Sequence, residues 1–159
     1  GVGAGARRVG YTFQLFDEKN SLVRAYDGVV NIPPSRIVPI IEPGIDVGNR
    51  AVSRTLFSFS DIPLWNKIAS DNVQALRMVN QDLSQDGSRL SVLVVNDSIK
   101  DVEHISVAAV LFDAAGVARA ASKSTLPSVV RKSSEQIVFT WQGGVPNIIR
   151  AEITLLPSF

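Results

Sequence analysis

Hydrophobic and polar residues alternate with a period of two along most of the chain, the spacing that places every second side chain on one face of a β-strand. Val9, Tyr11, Phe13 and Leu15 alternate with Gly10, Thr12, Gln14 and Phe16, and 96 positions later Ile105, Val107, Ala109 and Leu111 alternate with Ser106, Ala108, Val110 and Phe112. Both runs end Leu-Phe-Asp, at Leu15-Phe16-Asp17 and at Leu111-Phe112-Asp113. Self-similarity at a fixed spacing marks a repeated unit. The chain therefore reads as all-β, with two tandem copies of one antiparallel unit.

The same periodicity predicts further strands over residues 22–30, 36–41 and 50–60 in the first copy, with Phe57 and Phe59 on one face of the last. Pro39 cannot donate to a ladder, so the strand over 36–41 is expected at a sheet edge. In the second copy strands are expected over 73–82, 90–95, 104–112, 117–124, 136–141 and 148–156. The Asp-Glu-Lys-Asn cluster after Phe16, the Gln85-Asp86-Gly87 run and Ala114-Ala115-Gly116 carry turn residues. Ile32-Pro33-Pro34 and Leu126-Pro127-Ser128 read as matching breaks. Asp61 is placed to cap a short helix holding Leu64, Trp65, Ile68 and Ala69, which Ser70-Asp71-Asn72 would end. The boundaries are then an incomplete first unit over 1–62, a connecting segment over 63–72, and a complete second unit over 73–159.

The first unit is expected to be incomplete because the copies differ in what precedes the shared strand. The second has about seven strands in about 87 residues, the density of an antiparallel sandwich. The first has about four, and superposing it on the second sets Gly1 opposite Asp97, with no counterpart of residues 73–96. A missing strand with about four inward apolar residues leaves about 6–12 kcal/mol of burial unclaimed, at roughly 1.5–3 kcal/mol each. That rivals the roughly 5–15 kcal/mol stability of a whole domain. Val9, Tyr11, Phe13, Leu15, Phe57 and Phe59 are accordingly the expected strand-acceptor groove for a partner, and Trp65 the expected contact between units.

Phe13-Gln14-Leu15-Phe16-Asp17 resembles the signature of the FxLYD family of small bacterial immunoglobulin-like domains, with Phe16 where that family has Tyr. Ala109-Val110-Leu111-Phe112-Asp113 departs further by lacking the first Phe, and Val94-Val95-Asn96-Asp97-Ser98 is similar to the Val-x-Asn-x-Ser end of the family's preceding strand. Longer stretches, residues 11–17 and 37–54, look like repeats of uncharacterised surface proteins from reduced-genome bacteria. The resemblance implies two tandem immunoglobulin-like β-sandwich units, an extracellular or cell-surface setting, and no known enzyme activity.

Composition narrows the function classes. Sixteen basic and fifteen acidic residues give a net charge of +1, and the basic residues never cluster beyond pairs such as Arg7-Arg8. This is no nucleic-acid footprint, and no basic patch for an anionic membrane. There is no cysteine, which removes disulfides, thiolate metal sites and cysteine catalysis. No apolar run reaches the roughly 18 residues of a membrane span. The single histidine, His104, has no nucleophile motif near it, and Gly1-Val2-Gly3-Ala4-Gly5 precedes a strand, whereas a phosphate loop follows one. Asp17, Glu18, Asp27, Glu42 and Asp46 could meet at one end of the unit, but without the spacing of a calcium loop. Tyr11, Tyr26, Trp65 and Trp141 offer a sugar-stacking surface as an alternative to core packing. Asn96-Asp97-Ser98 matches a glycosylation acceptor.

The expectation is a non-enzymatic extracellular structural protein without cofactor or metal. It would be a surface or filament subunit forming a homo-oligomer or polymer by β-strand addition, the strand coming from a neighbouring chain or a cleaved upstream segment. The alternative is a monomeric adhesion, carbohydrate-binding or spacer module.

Overall fold

The computed structural model describes residues 3–67 and 75–156. Among these there is no helix, and every strand pairing is antiparallel. The chain divides into two compact units, Gly1–Ala69 and Ser70–Phe159.

The first unit is one sheet built around a long central strand, β1 (Ala4–Phe16). β2 (Leu22–Ile32) runs along one side of it. β3 (Arg54–Phe59) pairs with Tyr11–Phe16 on the other side, and β4 (Trp65–Lys67) pairs with Ala4–Ala6 beyond it. Two sequence expectations fail here. Trp65 lies in a strand and not in a helix, and residues 68–72 of the expected segment lie outside the described ones. β1 begins at Ala4, inside the glycine-rich stretch expected to be a loop, and so extends an edge along which Trp65–Lys67 finds backbone partners. A lone short helix would have been marginal. The second failure is residues 36–41, which pair with no strand among the described residues.

The second unit has two layers. β5 (Leu76–Leu83), β6 (Arg89–Asn96) and β9 (Ser133–Thr140) form one sheet in the order β5-β6-β9. β7 (Val102–Asp113), β8 (Ala118–Val129) and β10 (Ile148–Leu156) form the other in the order β10-β7-β8. Leu90, Val92, Val94, Ile137 and Phe139 from the first sheet and Val102, Ile105, Val107, Ala109, Leu111 and Val129 from the second share one core cluster. Six strands are present among the described residues, at the six places where the alternation puts them and one short of the total of about seven expected from spacing. β8 runs straight through Pro127, because β8 is an edge strand and the missing donor costs it nothing where the ladder is one-sided.

The repeat read from the sequence is reproduced in three dimensions at a constant offset of 96. Val9↔Val30, Tyr11↔Gly28, Phe13↔Tyr26 and Leu15↔Arg24 in the first unit correspond to Ile105↔Leu126, Val107↔Ser124, Ala109↔Ser122 and Leu111↔Ala120 in the second. Phe16↔Arg54 corresponds to Phe112↔Arg150, with each guanidinium stacked over its phenylalanine ring at 4.9 Å and 4.2 Å. β1 is irregular in register near its start, between Ala6 and Val9, and Arg8 there and His104 at the equivalent place of β7 adopt φ of 50° and 54°. Both ladders shift register between the Leu and the Phe of the Leu-Phe-Asp end, where β2 and β8 each carry one extra residue. The turns that follow match bond for bond. Asp17 Oδ1 accepts from the Lys19 and Ser21 N–H groups at 2.9 Å each, and Asp113 Oδ1 from those of Ala115 and Val117 at 2.9 Å each. This is the local capping for which Asp suits a turn. The repeated aspartates thus have a structural task, clamping the hairpin and pairing with Arg50 and Arg119 through their second oxygens at 2.5 Å and 2.6 Å.

The sheet β3-β1-β2 is therefore the counterpart of β10-β7-β8. Among the described residues, β9 in the second unit finds its ladder only on β6. The positions 96 before β9 are residues 37–44, the segment expected to be a strand and found irregular. A strand needs a neighbour for its backbone groups, and no counterpart of β6 lies beside this segment among the described residues.

Candidate partner-binding face

The face of the first sheet that corresponds to the second unit's core side carries Val9, Tyr11, Phe13 and Leu15 from β1, Tyr26, Gly28 and Val30 from β2, and Phe57 and Phe59 from β3. The register sets Phe13 directly opposite Phe57 and Tyr11 opposite Phe59. Their rings form a connected cluster, with centroids 5.3 Å apart for Phe13–Phe57, 5.6 Å for Tyr11–Phe13, 5.8 Å for Tyr11–Phe57 and 5.2 Å for Phe57–Phe59. Tilted and edge-on pairs at these separations are the favoured aromatic geometries.

Cover over this face is unequal. Val9, Tyr11 and Leu15 are buried, so the central strand is not an open groove as the sequence suggested. Phe13 is half-buried, while Phe57 and Phe59 remain 43% and 45% exposed. The cover comes from the irregular segment. Val38, Pro39, Ile40, Ile41 and Glu42 are half-buried, and the Tyr11 hydroxyl donates to Glu42 Oε1. Burial together with this bond to a carboxylate holds the Tyr11 hydroxyl well above the usual tyrosine range. A hydrogen bond to the same carboxylate raises Tyr26. The Tyr11 hydroxyl stays protonated and serves as a donor, tying the segment down over the β1–β2 side and leaving the β3 side open.

Gly28 makes this possible. A Cβ there would lie 2.3 Å from Tyr11 Cζ and 2.3 Å from its hydroxyl oxygen, so the ring lies directly on the glycine backbone. A glycine inside a strand pattern signals such a close approach, and Gly28 was the available clue to the Tyr11 seat. Nothing in the sequence marked Glu42 as its partner.

In the second unit the equivalent of Phe57 is Ile153, and of Phe59 Leu155; both pack against the shared core. Ile153 lines one small cavity with Met78 of β5 and Val92 of β6, and the Gln81 side chain of β5 donates to the Ala151 carbonyl at 3.1 Å. β5 and β6 are what cover this side of the sheet in the second unit, and the first unit has no strand in that place among the described residues.

Trp65, expected between the units, is 57% exposed and borders a shallow cleft with Ala4, Ile32, Pro33, Arg36 and Ile37, all residues of its own unit. Four of the five carboxylates considered for calcium are drawn to separate partners. Asp17 serves its turn and Arg50, Asp27 accepts from Thr12 at 2.6 Å, Glu42 from Tyr11, and Asp46 from the Gly48 N–H at 2.8 Å. Among the described residues no three of His, Cys, Asp or Glu come together. No helix there is long and apolar enough to cross a membrane.

Asn96, read as a possible glycan acceptor, is fully buried. Its amide donates to the Lys100 and Val129 carbonyls at 2.8 Å and 2.9 Å, and its oxygen accepts from the Ser98 N–H and hydroxyl at 3.0 Å and 2.7 Å. The Asn-x-Ser pattern here is a loop lock, with the nitrogen that would carry a sugar committed to two carbonyls.

No protein-family model, curated protein or solved structure matches the chain. The likeness to FxLYD repeats rests on its short motifs.

Proposed function

We propose that the chain is a non-catalytic extracellular structural protein, a cell-surface or filament subunit of immunoglobulin-like repeats. Its first unit is completed by a β-strand from a neighbouring chain or from a cleaved upstream segment. One observation carries the reading: two sheets of the same register and turns have unequal cover. Ile153 and Leu155 pack into a shared core, whereas Phe57 and Phe59 stand nearly half exposed beside a segment that pairs with no strand. Large apolar side chains grouped on one face mark an interaction surface far more often than they mark idle surface, and added strands recognise a partner through backbone pairing and alternate side chains. Addition of identical subunits head to tail is heterologous and propagates into a filament unless it closes.

The test is sedimentation across a wide concentration range combined with hydrogen exchange. The proposal expects species larger than the monomer, and amides of residues 37–41 and of β3 that slow on assembly. A monodisperse monomer at all concentrations, with those amides already as slow as β6 and β10, would refute it.

A second reading, a monomeric surface adhesion or spacer module, draws on the exposed Trp65 beside the Ile32, Pro33 and Ile37 cleft. It expects a Trp65-dependent fluorescence change with glycans, absent in Trp65→Ala, and no assembly.

A further inference from the structure

We propose that the free edge of β3 is a contact between two copies of this chain, which pair β3 to β3 antiparallel about a two-fold axis at Phe57. The inference deepens the subunit reading by naming one contact between copies. It concerns the backbone edge of the sheet and not the cover of its aromatic face.

The ladder with β1 fixes which groups point outward. The Ser60 N–H donates to the Gly10 carbonyl at 2.9 Å, and Tyr11↔Phe59, Phe13↔Phe57 and Leu15↔Thr55 follow in register. Hydrogen-bonded and non-hydrogen-bonded pairs alternate along an antiparallel ladder. Ser60, Ser58 and Leu56 therefore bond to β1, whereas Thr55, Phe57 and Phe59 aim their N–H and C=O groups away from it. Among the described residues β3 pairs with β1 alone, and all six of its residues are exposed.

Proteins blunt such edges with charge, proline or a bulge. In the second unit β8 holds Lys123 and Pro127, β10 holds Arg150 and Glu152, β9 holds Glu135, and β5 breaks its register between Val79 and Asp82. Residues 55–59 of β3, Thr-Leu-Phe-Ser-Phe, carry none of these devices.

The edge is also complementary to itself. Its outward residues, centred on Phe57, pair as Thr55↔Phe59, Phe57↔Phe57 and Phe59↔Thr55 of the second copy, each a doubly bonded pair. A shift that centres the axis on Leu56 sets Phe59 opposite Ser53, outside the strand. Charge selects the direction. Arg54 stands at one end of β3 and Asp61 just past the other, and the Asp61 carboxylate lies against Gly10, on the face of the sheet that also carries Arg54. Antiparallel copies bring unlike charges together at both ends, and parallel copies bring like charges together. Phe57 meets Phe57 of the second copy in a cross-strand aromatic pair. The contact is isologous and closes at two copies.

Sedimentation of the full chain over a wide concentration range, with amide exchange followed alongside, tests the contact. A dimer is expected in which the Thr55, Phe57 and Phe59 amides slow while those of Leu56 and Ser58, already bonded to β1, do not change. Thr55→Pro removes an intermolecular donor from each copy without touching the β1 ladder, and should weaken association about tenfold or more. The chain has no cysteine. Phe57→Cys should therefore cross-link to its own copy under mild oxidation, since the paired Cα atoms stand about 5.5 Å apart. Thr55→Cys should not, because its two copies lie about 13 Å apart along the strands. Unchanged exchange in β2 shows that the Thr55→Pro chain is folded, and the cross-link reads the same contact if it is not. Assembly that Thr55→Pro leaves intact, with residues 37–41 slowed, would overturn the edge contact and leave completion standing. A dimer lost in Thr55→Pro, with residues 37–41 unchanged, would support the contact and count against completion. A monomer at every concentration, with no Phe57→Cys cross-link, would overturn both.

Discussion

Replacing Gly28 with alanine tests whether the Tyr11 seat organises the first unit. The new Cβ would stand 2.3 Å from Tyr11 Cζ and 2.7 Å from Cε2, far inside contact distance. Tyr11 is 2% exposed and its hydroxyl is bonded to Glu42, so the ring has no free space to swing into without releasing that bond. Overpacking of this kind costs about 1–3 kcal/mol, and loss of the hydroxyl–carboxylate bond adds about 1.5–3 kcal/mol if it breaks. Against this, alanine gains about 0.5–1 kcal/mol over glycine by its smaller unfolded-state entropy. The net is a loss of about 0–2.5 kcal/mol if the bond survives and about 1.5–5.5 kcal/mol if it breaks, confined to the first unit. Unit-resolved hydrogen exchange reads the local opening free energy directly: the amides of β1, β2 and β3 should exchange faster and those of β6 and β7 should not change. The second unit pairs Val107 with Ser124 at the same place, so in a Tyr11→Val background Gly28→Ala should be neutral or stabilising. A Gly28→Ala chain as well protected as the parent, or an equal loss in the Tyr11→Val background, would refute the reasoning.

Other consequences follow from the same contacts. Asn96→Ala should destabilise the second unit by about 2–4 kcal/mol in urea, because four hydrogen bonds vanish and the Val129 carbonyl is left buried without its donor; an unchanged midpoint would deny the lock. Gly87→Ala should cost more than Gly116→Ala in thermal midpoint. Both sit at positive φ, 68° and 75°, but only at Gly87 would a Cβ meet backbone, 2.3 Å from the Val145 carbonyl oxygen. Bonds from Ser84 and Ser88 lower the Asp86 carboxyl from 3.8 to about 2. Its folded value lies below the unfolded one, so its stabilising contribution is complete above pH 4 and disappears as pH falls toward 2. Asp17, held low first by Arg50, and Asp113, held low first by the Val117 N–H, act in the same direction. Thermal midpoints should fall through this window, and Asp86→Asn should shallow the fall without shifting the neutral-pH plateau upward.

Much of the fold was legible in the chain because it is local. Period-two alternation located β1 and β7, and the Leu-Phe-Asp endings located their turns, since an aspartate at that position bonds its own following backbone wherever the rest of the molecule lies. The 96-residue offset matched the two copies position by position, and alternation named the apolar face of each strand, which a slip of one would turn outward. What tertiary structure alone decided depended on neighbours far along the chain. Residues 36–41 have strand-like sequence and form no strand, because β pairing is a property of two segments and no second one lies beside them among the described residues. Trp65–Lys67 became a strand because β1 happened to extend an open edge back to Ala4. Pro127 stayed inside β8 because that strand lies at an edge. The burial of Tyr11 beneath Glu42, and the exposure of Phe57 and Phe59 a few ångströms away, were decided by where an irregular segment settled across the sheet. Alternation can name the face of a strand; only the packing of segments distant in sequence determines which part of that face is covered.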